Sequence, residues 1–439
     1  MAGEWRGCTI GELCDAGVVE LQTGPFGTQL HAHDYVYNGV PVVPTEAIRN
    51  RQIDHSVLPK ISPSKAEELA RHRLELDDIL FARRGVQATG HIGCVREAED
   101  GFLCGTGAIR LRVRRGGSSV NPDFLSHVLA NPASVEWFKF HAIGATMPNL
   151  NEGIIRSFPL QIPPLPEQLA IAHILSTLDD KIEMNRRMNE ILEAMARALF
   201  KSWFVDFDPV RAKAEGRDTG LPKPLAGLFP DSFEDSELGE IPIAWKVVNI
   251  YTAAEVIYGA PFASAKFNSD GIGKPLIRIR DLADESPGVF TAEEHPKGHL
   301  VKPGDIAVGM DGEFRAYLWG GVESWLNQRV CVFQPRTGFS SPFVLHSIVR
   351  LLAEVEATET ATTVIHLGKN DIDRFKIVVP TEPILTAFGQ LADPLFQRIV
   401  VNKQESRTLV SLRDTLLTKL ISGELRIRTP TAYETGRAR

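Results

Sequence analysis

"PEQLAIAHILSTLDDKIEMNRRMNEILEAMARALFKSWFVDFDPV", residues 166–210, reads as one long helix brought to a stop. Proline is a good first helical residue. Leu175, Leu178, Ile182, Asn185, Leu192 and Leu199 fall at heptad spacing, the seam of a coiled coil. From about Pro166 to about Trp203 the helix is roughly 55 Å long at ~1.5 Å per residue. Its end sets Asp206 and Asp208 two positions apart, a spacing that invites a metal or acid–base reading.

The rest of the chain supplies a control, because it is written twice. "EWRGCTI" and "AWKVVNI" pair Trp5 with Trp245, and "TGPFGTQL" and "GAPFASAKF" pair Pro25 with Pro261. "NGVPVVPTEAI" matches "IGKPLIRIRDL" through Gly39 and Gly273, and "LDDILFARRG" matches "KPGDIAVGMDG" through Asp78 and Asp305. "MPNLNEGIIRSFPLQIP" matches "VIHLGKNDIDRFKIVVP" through Phe158 and Phe375. The offsets fall from 240 through 236, 234 and 227 to 217, and then hold at 217 along the helix. Surface loops absorb insertions, whereas a helix in register with a partner does not. Each copy is therefore a variable globular part followed by a helix of fixed length.

At that offset the six seam residues correspond to Ala392, Leu395, Ile399, Asn402, Leu409 and Leu416. Two such seams most simply pair as an antiparallel coiled coil. Asn185 and Asn402, at equivalent seam positions, would cost stability and fix register. The second helix should close at Gly423, and Pro394 inside it predicts a kink or a division into two pieces. Short Val/Ile/Phe/Arg runs broken by Gly and Pro read as strands, with short helices over 122–132 and 342–353. The expected class is α+β, two domains in tandem duplication related by a pseudo-two-fold. The boundaries are 1–163 for the first domain, 164–210 for the first helix, 211–240 for a linker, 241–380 for the second domain, 381–425 for the second helix and 426–439 for a tail.

Length predicts several domains, and the 43% hydrophobic and 23% charged content is ordinary for globular proteins. No run of 18 apolar residues and no basic-then-apolar leader is seen. Five scattered cysteines without C-x-x-C spacing point to free thiols in a reducing cytoplasm. The net charge of −7 argues mildly against nucleic-acid coating, yet residues 71–115 hold nine arginines against six acids, and 231–240 hold five acids and no base.

Catalytic signatures are missing. There is no phosphate-cradling G-x-x-x-x-G-K-[ST], no Glu-x-Lys of the common metal-nuclease pattern and no Asn-Pro-Pro-aromatic run that would hold a flipped base. "HAHD" (31–34) lacks a matching ligand pair for a metal. The aspartate pair is not repeated, since Asp206 and Asp208 correspond to Gly423 and Leu425. Aspartate is disfavoured at a helix C-terminus, Lys201 is favoured there, and Asp208 before Pro209 is pushed towards extended backbone. Trp203, Phe204 and Phe207 then pack the helix end against the adjoining domain or a partner protein.

What remains is a pair of arginine-bearing domains. Arg83, Arg84 and Gln87 lie in a glycine-bounded loop after an apolar strand, suited to groove reading of DNA. Arg110, Arg112 and Arg114 alternate along one strand face, where solvation or phosphate contact is expected. In the second copy Arg278 and Arg280 follow an apolar strand. The loop "GMDGEFR" offers Asp311, Glu313 and Arg315, different chemistry in the same place. Domains alike in frame and unlike in loops should read different halves of a gapped, asymmetric site.

"IPPLPEQLAIAHILSTLDDKIEMNRRMNEILEAMARALFKSWFVDFDPV" and "ELGEIPIAWKVV" resemble the specificity (S) subunit of type I restriction–modification enzymes, with "GPFGTQL" and "GAPFASAKFN" similar to the openings of its target-recognition domains. The resemblance covers essentially the whole chain. It implies two domains reading a bipartite site on double-stranded DNA, and helices that act as spacer and dock two methyltransferase (M) subunits. Nuclease–translocase (R) subunits would join through those. It implies no catalysis by this chain, with S-adenosylmethionine, ATP and magnesium belonging to the partners. The second helix departs from the pattern, because "PTEPILTAFGQLADPLF" lacks the Pro-Glu-Gln start. Two alternatives stand beside this reading: an adaptor that guides methylation without cleavage, and an enzyme acting at Asp206 and Asp208.

Overall fold

Two amphipathic segments form 40-residue helices, Leu165–Phe204 and Glu382–Ile421. They belong to a computed structural model that describes residues 5–27, 29–114, 119–144, 146–358 and 365–427. The tail expected over 426–439 lies, from residue 428 onward, outside the described residues. By its internal contacts the chain divides into two units: Met1–Asp180 with Leu409–Arg439, and Lys181–Thr408. Each unit thus owns one globular domain and a stretch of both long helices.

Within the first unit, Glu167 pairs with Arg426 at 2.7 Å and Asp179 with Arg413 at 2.9 Å. Within the second, Lys181 pairs with Glu405 at 3.2 Å, and Phe200 and Trp203 meet Phe388. As one helix is climbed the other is descended, so both stretches pair antiparallel, as the two seams predict.

The globular parts repeat one topology. In the first unit a four-stranded antiparallel sheet runs in the order Val19–Thr23, Ala108–Val113, Ile79–Ala82, Ile92–Cys94. In the second the order is Ala254–Tyr258, Val330–Pro335, Ile306–Gly309, Ala316–Leu318. The central strands are buried on both faces, and alternation divides their side chains between two cores. Ile79, Phe81, Ile109 and Leu111 join a core that includes Ile171, Leu175, Leu417 and Leu420 of the long helices. Leu80, Ala82 and Ala108 face the opposite cluster. Ile306, Val308 and Phe333 likewise face Phe200, Trp203 and Phe388, while Ala307, Val330 and Val332 face away. A second sheet in each domain contains a parallel pair, Val40–Val43 with Leu103–Cys104 and Lys274–Ile277 with Ser324–Leu326. Arg6–Thr9 with Pro159–Ile162, and Lys246–Asn249 with Lys376–Val379, bring the start of each domain to its end.

Four expectations need correction. Of the kink or division expected at Pro394, division does not occur, since the proline lies inside one uninterrupted helix. Ala392, Phe396 and Ile399 on either side are buried, and that packing outweighs the one backbone bond proline cannot make. Residues 211–240 are no bare linker, because Ala212 and Phe229 are buried and Phe233–Ser236 pairs with Gly239–Pro242 in a hairpin. Asp208 is not extended. It opens the helix Asp208–Ala214, with Pro209 in its first turn and Phe207 before it at φ +56°. "KPLIRIRDL" is strand only over Lys274–Ile277, after which Ile279–Asp281 turns as a 3-10 helix.

Candidate nucleic-acid interface

The arginines singled out from sequence separate into two groups. Arg110 is buried, and its guanidinium donates to the carbonyls of Arg71 and Arg73 at 3.2 and 3.0 Å and to Gln22. Burial pushes its pKa down. Arg112 grips Asp78 with two bonds of 2.7 Å and reaches Glu75 at 2.5 Å. Those bonds to Asp78 push the Arg112 pKa up. Arg278 closes on Asp281 at 2.9 and 3.1 Å and caps the turn that follows it. These three hold their own domains together and correct the expectation that they meet DNA. Alternation along a strand placed Arg110 and Arg112 on one face, but that face is covered by the Arg71–Asp78 segment.

The second group is at the surface. Arg83 is half-buried, and its Nε donates to Asn149 Oδ1 at 3.0 Å. Arg84 is exposed, with one bond of 3.3 Å to Thr106, and Gln87 is exposed beside it. Arg280 is exposed and makes no ion pair among the described residues. Arg315 is exposed and pairs with Glu313 at 2.7 Å.

Arg84 also forms an isolated antiparallel bridge with Asn149, which ties the loop after Ile79–Ala82 to the segment before the closing strand. Thr89 Oγ1 secures the same junction by donating to the carbonyls of Gly85 and Pro148 at 2.7 and 3.0 Å. Around it Val86, Phe140, Ile143 and Met147 are all more than 60% exposed. The second unit builds the same junction from Asp311 and His366. Strand pairing fixes the equivalence: Ala82 opposes Ala108 as Gly309 opposes Val330. Two residues past Ala82 and Gly309 come Arg84 and Asp311, and Asn149 and His366 differ by the helix offset of 217. His366 Nδ1 lies 2.6 Å from Asp311 Oδ1, and Arg329 Nη1 lies 3.1 Å from the same nitrogen. In each domain the backbone is drawn tight at one point. A Cβ on Gly24 would meet the Gly105 carbonyl oxygen at 2.0 Å, and one on Gly259 the Asn327 oxygen at 1.9 Å. Asn149, His366 and Arg329 were not singled out from sequence, although the fixed offset already paired the first two.

On the helices, Asn185 and Asn402 are buried in the second unit. Asn185 Nδ2 donates to Glu405 Oε2 at 2.9 Å, and Asn402 Nδ2 to Asn189 Oδ1 at 2.8 Å. Trp203, Phe204 and Phe207 sit in the core of that unit with Phe229, Trp245, Phe343 and Phe388. With every one of them under 10% exposed, they offer nothing to a separate partner, and that part of the expectation fails. Exposed apolar side chains lie earlier on the same helix. Met184, Met188, Ile191 and Met195 are 42–60% exposed and recur at helical spacing along one face. Asp206 is held by Lys201, and its carbonyl accepts from Arg211 at 2.9 Å, a chain-turning arrangement.

Residues 3–194 match the family described as the type I restriction modification DNA specificity domain. The MjaIX specificity subunit of Methanocaldococcus jannaschii is 27% identical over 315 residues, covering 70% of this chain and 69% of that protein. The HindI specificity subunit of Haemophilus influenzae is 26% identical over 362 residues, 70% of this chain and 78% of that one. A crystal structure of a type I restriction–modification S subunit from M. genitalium shares the fold, with a TM-score of 0.59 over 96% of both chains at 16% identity. The match covers residues 3–194, and over a larger share of its length the chain is similar to type I specificity subunits.

Proposed function

We propose that this chain is a type I specificity subunit that reads a bipartite, gapped site on double-stranded DNA, one half with each domain, and that its paired helices set the gap. The repeated surface junction carries this reading. One frame appears in both domains, presenting Arg84, Gln87 and Asn149 in the first and Asp311, His366 and Arg329 in the second. Arginine gives guanine two donors, whereas a carboxylate accepts from the amino group of cytosine. Equal frames with unequal chemistry suit an asymmetric target. Arg280 and Arg315 stand exposed for backbone contact.

The chain itself is non-catalytic in this reading. Two methyltransferase subunits dock on the helices, and the Met184–Met195 face is the surface that offers them apolar area. Nuclease–translocase subunits join through them, and S-adenosylmethionine, ATP and magnesium belong to those partners. Methylation-aware sequencing of host DNA, with and without the gene, tests the proposal. A single gapped, asymmetric motif should lose its methylation when the gene is removed. An unchanged methylation pattern, or a contiguous motif, contradicts it.

A further inference from the structure

The junction of the first domain is half polar and half apolar. Asn149 lies between two antiparallel neighbours, with Arg84 opposite it on one side and Ile143 on the other. Ile143 and Asn149 exchange two backbone bonds, of 3.0 and 2.9 Å, and so close a hairpin. Gly144, at φ +107°, allows its turn. Directly opposed residues of antiparallel strands project from one face. Arg84, Asn149 and Ile143 therefore form one row, with ~10 Å between its ends at two strand spacings. Leu150, next to Asn149, is buried, which puts the row on the outer face.

Three more exposed apolar side chains flank this row. Thr89 bonds the carbonyls of both Gly85 and Pro148, so the neighbours of those residues, Val86 and Met147, sit on adjoining loops. The helix Pro132–His141 ends against the same place, since a Cβ on Gly90 would lie 3.2 Å from Phe138 Cβ. Phe140 stands exposed in its last turn. The second domain does not repeat this border. Two residues past Arg84 and Asp311 come Val86 and Glu313, the latter exposed and charged. The helices leading to the two junctions end at His141 and Thr358, which are 217 apart, so Phe140 corresponds to Ala357. At that offset Ile143 and Met147 correspond to Thr360 and Val364, which lie outside the described residues.

We infer that the border of Val86, Phe140, Ile143 and Met147 contacts thymine, so that the first domain reads part of its half-site through the C5 methyl group. On the base edges of the major groove that methyl is the one apolar group, whereas every other feature is a hydrogen-bond donor or acceptor. Apolar side chains set in a row with a base-reading arginine thus have one chemically matched partner on DNA. The row also limits where the thymine stands. Its ~10 Å spans about three base pairs at ~3.4 Å each, so the thymine lies within that distance of the base met by Arg84.

The inference rests on the proposed DNA reading at this junction, and the two fail separately. Duplexes carrying the gapped motif are bound by the assembled methyltransferase, with each thymine of the first half-site replaced in turn by deoxyuridine, which lacks only the methyl. A buried methyl is worth about fourfold in affinity. At least one replacement within about three base pairs of the position that R84A relaxes should cost that factor. In a complex built with V86S/F140S/I143S/M147S the thymine duplex should bind at least that much more weakly, and deoxyuridine should cost nothing further. Deoxyuridine without effect throughout the first half-site overturns the inference, and so does a half-site with no A·T pair. Either result leaves the gapped motif standing, and neither depends on the variant. A full deoxyuridine penalty that persists in the variant also overturns it. So does a variant that loses methyltransferase subunits on purification, since the border is then a protein contact. Absence of a gapped motif, which sequencing detects beforehand, removes the reading itself.

Discussion

Arg84 and Arg112 are both arginines of the first domain, yet their surroundings give them opposite jobs. Arg112 neutralises Asp78, a carboxylate 1% exposed. R112A should therefore cost about 3 kcal/mol of folding stability by stranding that charge, as chemical denaturation would show. Arg84 is exposed and lightly held, so R84A should leave stability nearly unchanged. In the assembled enzyme it should weaken DNA binding by about 1–3 kcal/mol and relax only one half of the site. Equal loss for both halves would remove Arg84 from the reading position. Sequence could not sort these residues, because alternation reports a shared strand face and not whether a neighbouring segment covers it. It did find the loop of Arg83 and Arg84, since a glycine-bounded turn after a buried strand has nowhere to go but the surface.

The elements were legible where periodicity is long and obscure where single residues contradict it. Forty residues of seam announced each helix, but Pro394 suggested a break that packing overrides. "VDFDPV" signalled a stop correctly and concealed the next helix, because Phe207 takes a left-handed conformation that sequence does not advertise. The burial of Trp203, Phe204 and Phe207 follows from that turn, which folds the chain back over them. Met184, Met188, Ile191 and Met195 stay exposed on the first helix, and the proposed docking is tested there. M188E/M195E should leave the chain folded and reduce co-purification of the methyltransferase subunit at least tenfold. Undiminished capture would place docking elsewhere. The helix Ser341–Thr358 carries a second element-scale consequence in His346, whose ring packs against Phe200 and Phe396 with Nε2 unbonded. Burial, with a smaller contribution from Arg197, lowers its pKa from 6.5 to about 4. The unfolded chain then binds the proton that the folded chain refuses. Its stabilising contribution is complete above pH 6.5 and is lost as pH falls from 6.5 towards 4. H346L should flatten that part of the stability–pH curve for the second unit. An unaltered acid slope would assign the loss to other groups, such as His127 in the first unit, which burial also holds well below its ordinary value.

At the scale of the molecule, the repeat was the most legible feature. Falling offsets marked where loops vary, and the constant 217 marked where helices cannot. Division into two units that each own a stretch of both helices was not legible, because it depends on which domain packs on which helix end, and a repeating seam does not report that. The central claim is that fixed helix length sets the gap between two half-sites. Removing one heptad from each helix, residues 182–188 and 399–405, shortens both by seven positions and keeps the seams in phase. Methylation-aware sequencing of DNA modified by the assembled enzyme carrying this deletion should return both half-sites unchanged with fewer base pairs between them. The same half-sites at an unaltered gap would contradict the account.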